Sequence, residues 1–196
     1  VRHPLVLDGA GVQLVPLGPE HAAPLVALVD DALWAGMSSP VPRGADDLAA
    51  WVATALETPG RLAFAVVGDD GTVRGSTSFY DVDHRVRRLE IGHTFYGRPW
   101  WGGPTNPATK LALLTQAFDG WGMARVALRA DSRNARSLAA IARLGATAEG
   151  VLRSHRLAPD GTRGDTAYFS ILADEWPAAR AGLRARLGLP PVPGDV

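Results

Sequence analysis

One stretch constrains this chain more than any other: WWGGPTNPATKLALLTQAF, residues 100–118. Trp100 and Trp101 end a strand-like segment, and Gly102, Gly103 and Pro104 make a loop. Asn106 then reads as the N-cap of a helix. Pro107 suits the first helical position, where a missing N–H costs nothing and the ring's φ is already helical. Leu111, Leu114 and Phe118 recur at helical spacing and turn that helix onto a core, with Gly120 as its stop. A strand, a glycine loop and a helix start together present unpaired backbone N–H groups and the positive end of a helix dipole, an arrangement that binds phosphates.

Lys110 adds to that reading. Nineteen of the twenty basic residues are arginine, and the one lysine falls in this helix's first turn, beside its apolar stripe. It is either a side chain whose stem covers its neighbours while the ammonium reaches water, or a phosphate contact.

The rest of the chain alternates between strand and helix periods. Val12 to Leu17 reads as a strand, and Gly18-Pro19 opens a helix with Ala22, Leu25, Val26 and Val29 inward. A loop from Trp34 to Pro42 leads to a second helix capped by Asp46 or Asp47 and ended by Pro59-Gly60. Arg61–Val67 and Thr72–Val82 flank the turn Gly68-Asp69-Asp70-Gly71, a strong hairpin signal. In the next strand, Arg88 to Tyr96, alternation puts Leu89, Ile91, His93 and Phe95 on one face and Glu90, Gly92, Thr94 and Tyr96 on the other. After the central helix come a strand (Ala124–Ala130), a helix entered through DSRNARS and ended by Gly145, strands Ala148–His155 and Thr166–Leu172, and a helix from Asp174 to Leu187. The expected architecture is α/β: a mixed sheet with helices on both faces.

With 196 residues, 46% of them hydrophobic, the chain can bury a sizeable core. A single domain over 1–196 is expected, with residues 189–196 a frayed tail. Zero net charge and scattered arginines argue against a nucleic-acid surface, which needs a basic stripe. The absence of cysteine excludes disulfides, thiolate nucleophiles and Cys-ligated metals, and no metal site is expected. No run of about eighteen apolar residues occurs, and the opening residues lack a cationic segment followed by an apolar one, so a soluble cytoplasmic protein without membrane contact is expected.

The segments EIGHTFYGRPWWGGPTN, DSRNARSLAAIARLGATAEGVLR and RGDTAYFSIL with DEWP, spanning about Leu89 to Pro177, resemble the GNAT superfamily of acyl-CoA-dependent N-acyltransferases. More narrowly they are similar to its ribosomal-protein N-terminal acetyltransferase branch, the RimJ/RimL type. The resemblance implies a GNAT-like, mostly antiparallel seven-stranded sheet splayed between its fourth and fifth strands, with acetyl-CoA in the gap. Backbone groups of His93, Thr94 and Phe95 would pair with the pantetheine arm, and Asn134 would hydrogen-bond it. N–H groups from Trp101 through Gly102, Gly103 and Thr105 to Asn106 would take the pyrophosphate. The loop departs from the usual Q/R-x-x-G-x-G/A pattern, because Pro104 removes a donor, with Asn106 and Lys110 as substitutes.

Acyl transfer to an amine needs a neutral amine, a polarised carbonyl and a proton for the departing thiolate. A lysine amine with pKa about 10.4 is neutral about one part in a thousand near pH 7.5, whereas an α-amine at about 7.7–8.0 is substantially neutral. Many members use a tyrosine as the thiolate's acid, but Ile141 stands at that position. The resemblance implies Ser137 of N-x-x-S instead. Asn134 capping a helix with Ser137 at its third position is also ordinary helix-start chemistry. Glu90, through a water, and His155 are the two candidate bases. His93 shares a face with apolar neighbours and reads as a core histidine. Trp34, Met37 and Trp51 could wall the acceptor pocket or pack a core.

The resulting expectation is an N-acetyltransferase moving an acetyl group from acetyl-CoA to a protein N-terminal or small-molecule amine by direct attack. The alternative is a non-catalytic acyl-CoA-binding sensor module. A dinucleotide-binding enzyme is disfavoured, because the loop is not G-x-G-x-x-G and hairpin strands precede it. The C-terminal helix is a candidate surface for a homodimer.

Overall fold

The computed structural model describes residues 2–193. Among the described residues eight strands form one open mixed sheet: β1 (Leu7–Gly9), β2 (Val12–Pro16), β3 (Leu62–Gly68), β4 (Val73–Asp83), β5 (Arg88–Tyr96), β6 (Arg125–Asp131), β7 (Thr147–Leu157) and β8 (Arg163–Leu172). Their spatial order is β1-β2-β3-β4-β5-β6-β8-β7. Every neighbouring pair is antiparallel except β5 with β6. The eighth strand corrects the expected seven. β1 is three residues long with one buried apolar side chain, Leu7, and pairs with β2 through the turn at Gly11, so it carries no period to read. The expected fourth and fifth strands are thus β5 and β6.

Alternation along β3 divides two cores. Phe64 and Val66 face a layer built by α4 (Thr105–Thr115) and α6 (Trp176–Arg186), joined by Phe79, Leu89, Ile91, Val126, Leu128 and Ile171 from the sheet. Ala63 and Ala65 face α1 (Ala22–Val26), α2 (Asp31–Trp34) and α3 (Ala45–Glu57), which bring Leu25, Trp34, Leu48 and Val52 against Phe95. This second core draws no described residue from β6, β7 or β8, so α1–α3 build no apolar layer over that part of the sheet's second face. Helix α5 (Ala135–Ala142) follows β6 and sets Ile141 into the first core.

Several boundaries move from their expected places. The first helix stops at Val26, short of Val29, and a short helix not expected from sequence, α2, precedes the loop and ends at its first residue, Trp34; its N-cap Asp30 accepts from Leu33 N at 2.8 Å. Gly44, not Asp46 or Asp47, precedes α3; both aspartates lie in its first turn, where Asp47 accepts from Arg43 N. The expected tail begins ordered: Leu189 N donates to the Arg184 carbonyl and the Arg184 side chain to the Pro190 carbonyl. Residues 194–196 lie outside the described residues.

Candidate active site

β5 and β6 pair only from Arg88–Ile91 against Arg125–Leu128, then part. Beyond that fork the β6-facing backbone edge of β5 has no strand against it among the described residues. β5 also bulges here: Ser78 of β4 opposes Gly92 and Ser76 opposes Phe95, so His93 and Thr94 together face Thr77. His93 adopts φ +50°, a left-handed conformation rare for a side chain of its size and strained by about 1–3 kcal/mol.

The bulge inverts the expected alternation. Thr94 joins Leu89, Ile91 and Tyr96 on the α4 side, where its hydroxyl meets Thr77 Oγ1 at 2.8 Å and Lys110 Nζ at 3.2 Å. His93 moves to the Glu90 and Phe95 side, its ring edge-on to Tyr80. Burial, helped by Arg61 and Arg129, pushes the His93 imidazole down to about 3, so it is neutral.

A cavity of about 920 Å³ fills the gap between the parted strands. Its α4 end is the glycine loop before the central helix. The helix begins at Thr105, one residue ahead of the expected N-cap, with Pro104 as the preceding residue and Ala108 N donating to its carbonyl. Pro104 is itself in a helical conformation, and Pro107 is tolerated as the third helical residue because first-turn N–H groups have no partner inside the helix. Gly102 turns the chain with φ +74°. The N–H groups of Gly102, Gly103, Thr105 and Asn106 donate to nothing among the described residues. Trp101 N is spent on the Arg98 carbonyl, so it leaves the expected donor set. The Thr105 side chain turns inward, accepting from Arg74. The Trp101 indole lies under the Arg136 guanidinium, 3.6 Å from its ring centre, and donates to the Tyr96 carbonyl.

Lys110 does not reach solvent. α4 is buried continuously from Pro107 to Leu114, and Lys110 is 5% exposed. It lines the cavity with no carboxylate among the described residues as partner, and burial pulls its pKa down to about 7.

α5 forms the opposite wall. Asn134 is its N-cap, with Oδ1 accepting from Ser137 N at 3.0 Å. Capping therefore uses the carbonyl oxygen and leaves the amide group free, while both residues line the cavity. No hydrogen bond among the described residues engages the Ser137 hydroxyl. Gly36 approaches so closely that a Cβ there would stand 2.5 Å from Asn134 Nδ2. Arg156 holds this approach, donating to the Gly36 and Met37 carbonyls while pairing with Asp131 at 3.0 Å.

On the open face beside the fork, Tyr80 donates to Glu90 Oε2 at 2.6 Å and accepts from Arg129 Nε at 3.0 Å. Burial and the Glu90 charge raise the Tyr80 phenol's pKa, keeping it protonated. Glu90 is 8% exposed, sits beneath Tyr80 and Arg129, and does not line the cavity. His155 does, with Nδ1 3.1 Å from Thr166 Oγ1 and its ring edge-on to Tyr168. Of the expected acceptor walls, Met37 lines the cavity, whereas Trp34 and Trp51 pack edge-on against each other and Phe95 in the second core. Tyr80, Arg129 and Arg156 line the cavity and Tyr168 accepts from Arg129, and none of the four is among the residues expected from sequence. The one trace of them in sequence is a charged or phenolic residue in mid-strand. Among the described residues no cluster of three or more His, Asp or Glu is placed to hold a metal, and no helix is long and apolar enough to cross a membrane.

The acetyltransferase (GNAT) domain model matches residues 12–147. YdaF of Bacillus subtilis (strain 168), named as a candidate ribosomal N-acetyltransferase, is 33% identical over 107 residues, which is 55% of this chain and 57% of that protein. The chain thus spans a little over half the length of that curated relative. A crystal structure from T. thermophilus, named as a candidate acetyltransferase, is 35% identical with a TM-score of 0.89, covering 95% of this chain and 99% of that one. Mycobacterium smegmatis RimJ in complex with CoA-disulfide shares the fold, with a TM-score of 0.79 at 21% identity over 94% of this chain and 95% of that one.

Proposed function

This chain belongs to the acetyltransferase (GNAT) domain family, and from that premise we propose that it moves an acetyl group from acetyl-CoA to a primary amine held in the same complex. One observation carries the reading. The fork between β5 and β6 joins an unpaired strand edge to a helix start whose four N–H groups are unspent, beside a buried lysine with no anionic partner among the described residues. Those residues fit acetyl-CoA: a strand edge for the amide-bearing pantetheine arm, donors and a cation for its phosphates.

When bound, acetyl-CoA supplies a thioester whose carbonyl carbon an amine can attack. Gly102, Gly103, Thr105 and Asn106 hold the pyrophosphate through backbone N–H groups, with Lys110 as the cation in place of the donor that Pro104 lacks. The β5 edge from His93 to Phe95 aligns the pantetheine arm, and the Asn134 amide group donates to it. Ser137 Oγ, free of other bonds among the described residues, holds the proton delivered to the departing sulfur. His155 receives the amine proton, since it faces the cavity. Glu90, covered by Tyr80 and Arg129, acts as a positioning residue. The α-amine of a protein N-terminus demands least of such a base, and the likeness to YdaF, named for ribosomal N-acetylation, supports a protein acceptor.

Thermal melting with acetyl-CoA and with NAD, followed by thiol release over a panel of amines and N-terminal peptides, tests the reading. Acetyl-CoA is expected to stabilise the protein and at least one amine to release thiol. Stabilisation by NAD alone would sink the proposal, and acetyl-CoA binding without thiol release from any amine would leave a sensor module instead.

A further inference from the structure

The acceptor end of the cavity carries a feature that the acetyl-transfer reading does not use. Arg129 is the first residue of β6 beyond its pairing with β5, because Leu128 is the last to find a β5 partner. It stands at the fork on the face that α1–α3 leave uncovered, and it lines the cavity with about a third of its side chain exposed.

Its orientation is fixed from both sides. Nε donates to Tyr80, Nη1 donates to Tyr168 at 2.7 Å, and the guanidinium lies within 5.2 Å and 5.7 Å of the two phenol ring centres. Tyr80 is itself held by Glu90. Two of the five N–H groups are thereby used, and no hydrogen bond among the described residues engages Nη2. A planar cation with spare donors, immobilised at the mouth of a reaction site, is built to receive an oxygen lone pair.

The charges around it decide against other acceptors. The cavity is lined by Lys110, Arg129, Arg136, Arg143, Arg156 and Arg186 against the single carboxylate of Asp131 among the described residues, while Glu90, behind the lining, stands 3.4 Å from Arg129 Nε and is covered by Tyr80 and Arg129. Asp131 is already paired with Arg133 and Arg156. Nothing described along the wall is free to hold a second ammonium, so a polyamine meets repulsion.

We propose that Arg129 selects the acceptor by gripping an oxygen on the carbon next to its amine-bearing carbon. That oxygen is either the carboxylate of a free α-amino acid or the first peptide carbonyl of a polypeptide N-terminus. The inference rests on the acetyl-transfer reading and deepens it.

The test is thiol release by wild type, Arg129→Met and Arg129→Lys. The acceptors are alanine, alanine amide, a short peptide with a free N-terminal alanine, ethylamine and spermidine. The acetyl-CoA thermal shift of each variant reports that it is folded and loaded. Wild type is expected to prefer the three carbonyl-bearing acceptors over ethylamine and spermidine. Arg129→Met should shrink that preference by about ten- to a hundredfold in kcat/KM, and Arg129→Lys should restore part of it, since a point charge replaces a fork. Preference for alanine over its amide identifies the carboxylate as the target, and the reverse identifies the peptide carbonyl. Equal loss across all five amines, or wild-type preference for ethylamine or spermidine, overturns the role of Arg129 while leaving acetyl transfer intact. Thiol release from none of them overturns both.

Discussion

The ammonium of Lys110 lies 3.2 Å from the hydroxyl of Thr94, and that hydroxyl is the only hydrogen-bond partner it has among the described residues. A cation buried against a neutral oxygen is poised for an anion, and its titration reports whether one has arrived.

Without ligand, the pKa of Lys110 falls from 10.5 to about 7 on folding. The unfolded chain therefore binds more protons between those values, and this group's contribution to stability rises with pH across that window. Below about pH 7 its penalty is fully present. Unfolding of wild type and Lys110→Met from about pH 6 to 9.5 should show the variant's advantage shrinking as pH rises, by up to about 1.4 kcal/mol per unit. A constant difference would show that Lys110 titrates normally.

Phosphates brought beside Lys110 favour its charged form. Calorimetric titration of acetyl-CoA at about pH 8 in buffers of different ionisation enthalpy should report uptake of about one proton, lost in Lys110→Met. Equal heats in all buffers would separate the lysine from the cofactor.

Ser137 contributes its backbone N–H to the α5 cap, and its hydroxyl bonds to nothing among the described residues. Ser137→Ala should therefore lower kcat by about a hundredfold, within the range of a lost proton donor, while the acetyl-CoA KM moves little. Unchanged turnover removes Ser137 from the proton path.

Asn134 combines a cap and a cavity amide. Asn134→Asp retains the capping oxygen and loses the amide donor, whereas Asn134→Ala loses both. Both should raise the acetyl-CoA KM, and only Asn134→Ala should also cost about 1 kcal/mol of stability. Gly36→Ala, whose methyl would press on Asn134 Nδ2, should mimic Asn134→Asp in KM. Normal KM values in all three would show that the amide does not meet the cofactor.

The loop and helix start that form one end of the candidate site are legible in sequence because their markers are local. Gly102, Pro104 and Pro107 punctuate a strand and a helix, and the apolar spacing beyond them belongs to no other element. What escapes has non-local causes. A helical wheel gives the direction of Lys110 but not the depth of α4, which neighbours bury on every side. The bulge at His93 uses no positive-φ glycine, so strict alternation places Thr94 on the wrong face. The Tyr80–Arg129–Tyr168 group is assembled from β4, β6 and β8, and nothing in any one strand announces the other two. Trp34 and Trp51 read as wall or core with equal warrant, and the T-shaped contacts with Phe95 place them in the core.

The β5–β6 ladder ends after four residue pairs. In the proposed complex the pantetheine arm takes up the vacant edge, so the donor serves as a removable rung joining the two halves of the sheet. With acetyl-CoA so bound, its supply would set how firmly the halves are held beyond the four residue pairs that join β5 to β6. Proteases and hydrogen exchange would read that difference first along β6, making the lifetime of the protein a gauge of its own substrate.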